Sequence, residues 1–139
     1  MKFFVQFFIT CILFLTTLEA IEFKDMYEVS LKKDEPTTFF VKYDDYKRVV
    51  KFRWTLYKNE GLVIFYSYDK RVFQNILYLN TTNQSFKIFL KQATSMNYEA
   101  PYLLVKFKEF DLQKHKAKFE VFLSDRKSEI IVEKPKKKS

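Results

Sequence analysis

Few side chains in this 139-residue chain could do chemistry. Its one histidine, His115, lies between Lys114 and Lys116 in "KEFDLQKHK". Adjacent carboxylates occur only as Asp34–Glu35 and Asp44–Asp45, and the single cysteine is Cys11. A histidine acting as a base or ligand needs a group to orient it, and neighbouring cations lower its proton affinity. His115 has the cations and no carboxylate close by in sequence, so it reads as an exposed loop residue without a catalytic role. Transition metals need clustered Cys, His or carboxylates, and calcium loops need a spaced series of oxygen ligands; neither acidic pair supplies one. Gly61 is the only glycine, which excludes phosphate-cradling loops, dinucleotide fingerprints and nucleophile elbows. The expectation is no catalytic residue, no metal and no cofactor.

The elements that remain begin with the leader. "MKFFVQFFITCILFLTTLEA" has an early cation, Lys2, then an apolar run from Phe3 to Leu15. A polar end and the small residue Ala20 follow, which is the pattern of a secretory signal peptide over residues 1–20. The run is shorter than the ~20 apolar residues that span a bilayer. Cleavage after Ala20 would remove Cys11, leaving an exported chain without disulfides that must be held together by its core. That combination points to a bacterial periplasm first and an extracellular space second.

The remaining residues fit one domain, 21–133, followed by a tail, 134–139. The net charge is +8, and half of it belongs to Lys134, Lys136, Lys137 and Lys138. A tail of lysines with one proline and no apolar residue has nothing to bury, and is expected to be disordered. Aromatic residues make up 19% of the chain, enough for a small domain to build a substantial core.

Within the domain the hydrophobic period is two. "RVVKFRWTLY" sets Val50, Phe52, Trp54 and Leu56 against Lys51, Arg53 and Thr55. "IEFKDMYEVSL" and "SFKIFLK" alternate in the same way. Further strands read at Thr37–Tyr43, Leu62–Tyr68, Arg71–Leu79, Tyr102–Phe107, Ala117–Leu123 and Glu129–Glu133, with turn-forming stretches between them. Eight or nine short strands and no helical period predict an all-β antiparallel sandwich. Phe52, Trp54, Phe119 and Val121 are its expected core. "KEFDLQKHK" reads as a corner joining two strands.

The spacing V-x-F-x-x-F followed by A-x-F-x-V-x-L resembles the E–F strand pair of immunoglobulin-like domains. Trp54 in "KFRWTLYKNEG" is similar to the strand-C tryptophan of that fold. The resemblance implies an immunoglobulin-like sandwich in which Phe39 or Val41, with Val121, takes the place of the usual disulfide. It implies no activity, because the fold hosts unrelated functions.

What remains for function is surplus apolar surface. "GLVIFYSYD" is apolar on both parities, so Val63, Phe65, Tyr66 and Tyr68 are candidate protein-binding residues. Lys106, Lys108 and Lys118, with Lys134, Lys136, Lys137 and Lys138, are candidate anion-binding residues. The leading expectation is a non-catalytic module that binds protein, or itself, as an accessory or assembly subunit of the cell envelope. Peripheral binding of an anionic membrane or polymer ranks second, and an enzyme acting on envelope material third. Nucleic acid ranks last, because the leader directs the chain away from it.

Overall fold

The computed structural model describes residues 23, 26–92, 99–126 and 129–135. The signal peptide, Cys11, and Lys136, Lys137 and Lys138 of the tail lie outside them. Nine strands follow in order: β1 (Met26–Lys32), β2 (Thr37–Tyr43), β3 (Tyr46–Lys58), β4 (Gly61–Tyr68), β5 (Arg71–Tyr78), β6 (Ser85–Phe89), β7 (Tyr102–Asp111), β8 (Lys116–Ser124) and β9 (Ile131–Glu133). They form two antiparallel sheets, ordered β5-β4-β3-β2-β9 and β1-β8-β7-β6. The fold is the all-β antiparallel sandwich that the alternating pattern predicts.

Each sheet is a meander of consecutive strands, β2 to β5 and β6 to β8, completed by a terminal strand. β1 pairs with β8 and β9 with β2. Two hydrogen bonds tie these terminal strands to the opposite layer. The buried indole of Trp54 on β3 donates to the Leu31 carbonyl on β1 at 2.8 Å, satisfying the one polar atom of that side chain. The Tyr27 hydroxyl on β1 donates to the Val132 carbonyl on β9 at 2.8 Å. Between the layers lies an aromatic spine. Phe39 stacks on Phe52, Phe52 meets Phe119 edge-on at 5.4 Å, and Phe119 lies 5.8 Å from Phe107. Phe52, Trp54, Phe119 and Val121 are all buried.

Two expectations are corrected. Strands β7 and β8 are joined by a hairpin, not a corner: they pair side by side from Tyr102↔Ser124 to Asp111↔Lys116. In an immunoglobulin sandwich strands E and F lie in opposite sheets, so the resemblance holds for the two-layer architecture and not for this pair. Asp111 shapes the hairpin, its Oδ1 accepting from the backbone N–H of Gln113 and Lys114 at 3.0 Å each. His115 is exposed at the end of that turn with φ of 49°.

Leu56 is the second correction. The pairing of β3 with β4 shifts between Trp54 and Leu56, a β-bulge that leaves Thr55 unopposed. One extra residue reverses the alternation beyond it. Leu56 therefore points outward, 49% exposed, while Tyr57 turns inward onto the core.

Candidate functional site

The outer face of β3, β4 and β5 carries the surplus apolar surface. Two tight hairpins set its register. Asn59 and Glu60 join β3 to β4 with φ of 52° and 64°; Asp69 and Lys70 join β4 to β5 with φ of 51° and 65°. Both central residues are left-handed, the twist that suits two-residue hairpins. The resulting rows run Lys51↔Ser67↔Val72, Arg53↔Phe65↔Gln74, Leu56↔Val63↔Ile76 and Lys58↔Gly61↔Tyr78. A Cβ at Gly61 would come within 2.9 Å of the Tyr78 ring, so glycine is what lets that ring approach the strand.

This face is apolar at its centre and positive along one side. Leu56, Val63 and Ile76 form a continuous row, with Phe65 beside it. Val72 is 71% and Ile76 45% exposed. Lys51, Arg53 and Lys58 supply the charge, and no acid stands in these rows. Among the described residues neither Lys51 nor Arg53 forms an ion pair. A hollow of about 210 Å³ lies between them, with Phe65, Ser67 and Val72 also in its lining.

β5 is also the edge of its sheet. Exposed edges usually carry protection: shortness, charge, proline or a bulge. The other three edge strands have such devices. β9 has three residues; β6 has five, with Lys87 central; β1 carries Glu28 and Lys32. β5 has eight residues, an unbroken register, no proline and a single charge at its first position, Arg71.

The candidate protein-binding residues do not form one group. Val63 and Phe65 lie on the outer face, both half-buried by their neighbours. Tyr66 and Tyr68 have the opposite parity and pack toward the core. Tyr66 is stacked between Phe73 at 5.0 Å and Phe86 at 4.6 Å, and the Tyr68 hydroxyl donates to the Leu90 carbonyl. Burial raises the pKa of the Tyr66 hydroxyl. It raises that of Tyr68 further, with an added contribution from Tyr43. Leu56, Val72, Ile76 and Tyr78 were not among the candidates. "NILYL", residues 75–79, is apolar on both parities and marks Ile76 and Tyr78, whereas no local pattern marks Val72 and Leu56 depends on a bulge that strand alternation does not reveal.

The lysine candidates do share a face, but not one of single charge. Lys106, Lys108 and Lys118 lie on the outside of the four-stranded sheet. Lys106 stands opposite Glu120, which stands opposite Glu28; Lys118 stands opposite Glu109. Lys108 Nζ is 3.1 Å from Glu120 Oε1. The expected basic patch is thus interleaved with acids brought in from neighbouring strands. Lys134 is partly buried just beyond β9. No three His, Cys, Asp or Glu side chains lie together as a metal-binding group among the described residues.

No protein-family model matches the chain, and no curated protein or solved structure shows significant similarity to it.

Proposed function

We propose that this chain is an exported, non-catalytic β-sandwich that binds a protein partner, as an accessory or assembly module of a bacterial cell envelope. The export step rests on the leader sequence. The binding step rests on one observation: β5 is a long edge, unprotected up to Tyr78, whose N–H and carbonyl bond to Asn83 and Thr81, and it is continuous with the apolar row Leu56–Val63–Ile76. An extended segment of a partner adds to such an edge through main-chain hydrogen bonds, while alternate side chains take up pockets on the sheet face. The hollow beside Lys51 and Arg53 suits a partner segment with an apolar residue and a flanking acid. Binding of anionic polymer through Lys106, Lys108 and Lys118 is less well supported, because Glu28, Glu109 and Glu120 share their face.

Affinity capture from envelope extract separates these readings. Burial of apolar area and strand addition resist salt, whereas exposed Coulombic attraction is screened within about 8 Å at physiological ionic strength. The expected result is salt-resistant capture of defined partners, lost in Val72→Lys/Ile76→Lys and retained when residues 134–139 are deleted. Capture that disappears in high salt or on tail deletion alone would replace this reading with the polymer-binding one.

A further inference from the structure

Among the described residues the sandwich is closed on one side and open on the other. On the closed side, Tyr27 of β1 meets Phe39 of β2 edge-on at 5.4 Å and bonds to β9. On the open side, β5 and β6 are the sheet edges, and β5 has eight residues against five in β6. Leu77 is buried there, but Phe73 is 43% exposed and Arg71 is exposed. Between the two edges lies a cleft of about 830 Å³, within the range of small-molecule sites.

Its chemistry is aromatic on the floor and cationic at the walls. One face of the Phe73 ring is stacked on Tyr66, and among the described residues no second ring stacks on the other. Arg71, two residues away on the same side of β5, forms no ion pair among the described residues. Lys87 and Lys91 border the facing wall, the Nζ of Lys87 lying over the Tyr102 ring at 4.3 Å and that of Lys91 5.6 Å from the centre of the Tyr43 ring. Each is held by a carboxylate from outside the lining, Glu99 at 3.2 Å and Glu129 at 2.7 Å. Arg48, also in the lining, is paired with Asp69, the one acid there. The Tyr43 and Tyr68 hydroxyls both donate to the Leu90 carbonyl. Their protons are therefore committed to that carbonyl and not to a ligand.

We infer that this cleft binds a small carboxylate carried on a six-membered ring, the ring lying on Phe73 and the carboxylate paired with Arg71. Arginine suits the second role because its planar donor fork matches a carboxylate bidentately. A uronic-acid sugar and an aromatic acid both have this chemistry, since either ring can lie against an aromatic face. The site uses the inner side chains of β5, whereas the partner surface uses the outer ones, so the two proposals can fail separately.

The test is a titration of the full mature chain, followed by NMR of the aromatic side chains. The probes are a galacturonic-acid trisaccharide, 4-hydroxybenzoate, the neutral methyl ester of each, and inorganic phosphate. At least one free acid should shift the Phe73 and Tyr66 signals. It should bind about tenfold more tightly than its ester; Arg71→Gln should lose that margin, and Phe73→Ala should weaken acid and ester alike. Binding by the trisaccharide alone identifies a saccharide ligand; binding by the benzoate alone identifies an aromatic acid. Neither acid shifting these signals at millimolar concentration in the wild-type chain overturns the proposal, whatever the variants do. So does phosphate binding equally well, or carboxylate binding that survives both substitutions.

Discussion

Tyr57 and Phe110 stack face to face between the two sheets, ring centroids 3.9 Å apart and planes 11° from parallel. Both side chains reach this position because a bulge precedes them. The β3 register shifts between Trp54 and Leu56, and the β7 register between Phe107 and Glu109. Two matched interruptions extend the core toward the β7–β8 turn, and one of them turns Leu56 out into the apolar row. A core feature and a surface feature thus share one cause.

The stack should be measurable as a coupling. Tyr57→Ala and Phe110→Ala should each cost ~2–3 kcal/mol in urea unfolding, less than for a fully buried ring. A double-mutant cycle should return ~0.5–1.5 kcal/mol of interaction. Strictly additive single effects would mean the rings do not interact in solution.

Trp54 joins β3 to β1 through its buried indole and meets Phe110 edge-on at 5.4 Å. Trp54→Ala should therefore cost ~3–5 kcal/mol and could leave the domain unfolded. The wild-type chain provides an independent check, because its sole tryptophan should resist quenching by iodide. Ready quenching in the folded protein would contradict the burial.

Lys70 is a long side chain at φ of 65°, where residues with a Cβ are strained. Lys70→Gly relieves that strain, at some cost from the greater freedom of glycine in the unfolded chain. A net stabilisation of ~0.5–1 kcal/mol is expected. Lys70→Val should instead destabilise the hairpin. An order Val > Lys > Gly in melting temperature would show that the turn is not left-handed.

The alkaline limb of the stability curve should depend on Tyr68. Burial raises its folded pKa above the ordinary value near 10, with Tyr43 adding to the effect. Below pH ~10 the hydroxyl is protonated in both folded and unfolded chains, and this contribution is fully present. Above it the unfolded chain loses the proton first, so stability falls as pH rises toward the folded pKa. Tyr68→Phe should show a shallower decline between pH 10 and pH 11 than wild type. Identical slopes would place the Tyr68 hydroxyl in water.

The strands were readable from the sequence because half-buried sheets impose period two, as in Val50, Phe52 and Trp54. The reading lost phase at Leu56 and in "KEFD", where Thr55 and Lys108 are unremarkable strand residues that happen to lie at bulges. Alternation predicts parity only until one residue is inserted. Tyr66 and Tyr68 read alike with Val63 and Phe65 because a strand apolar on both sides does not reveal which side meets the other sheet. Glu120 and Glu28 became neighbours of Lys106 only through the strand order β1-β8-β7, which local pattern does not encode. The open side of the sandwich has the same origin, since it depends on which strands end as edges.

The central claim is that a protein partner docks on β5, and amide hydrogen exchange of the captured complex tests it most directly. Free β5 is an edge, so the outward-facing amides of Val72, Gln74 and Ile76 should exchange quickly in the isolated chain, while that of Tyr78 is already bonded to the Asn83 carbonyl. In the complex, exchange should slow at Val72, Gln74 and Ile76 and stay unchanged along the edges β1, β6 and β9. Protection confined to Lys106, Lys108 and Lys118 or to the tail, with β5 exchanging as fast as before, would contradict the account.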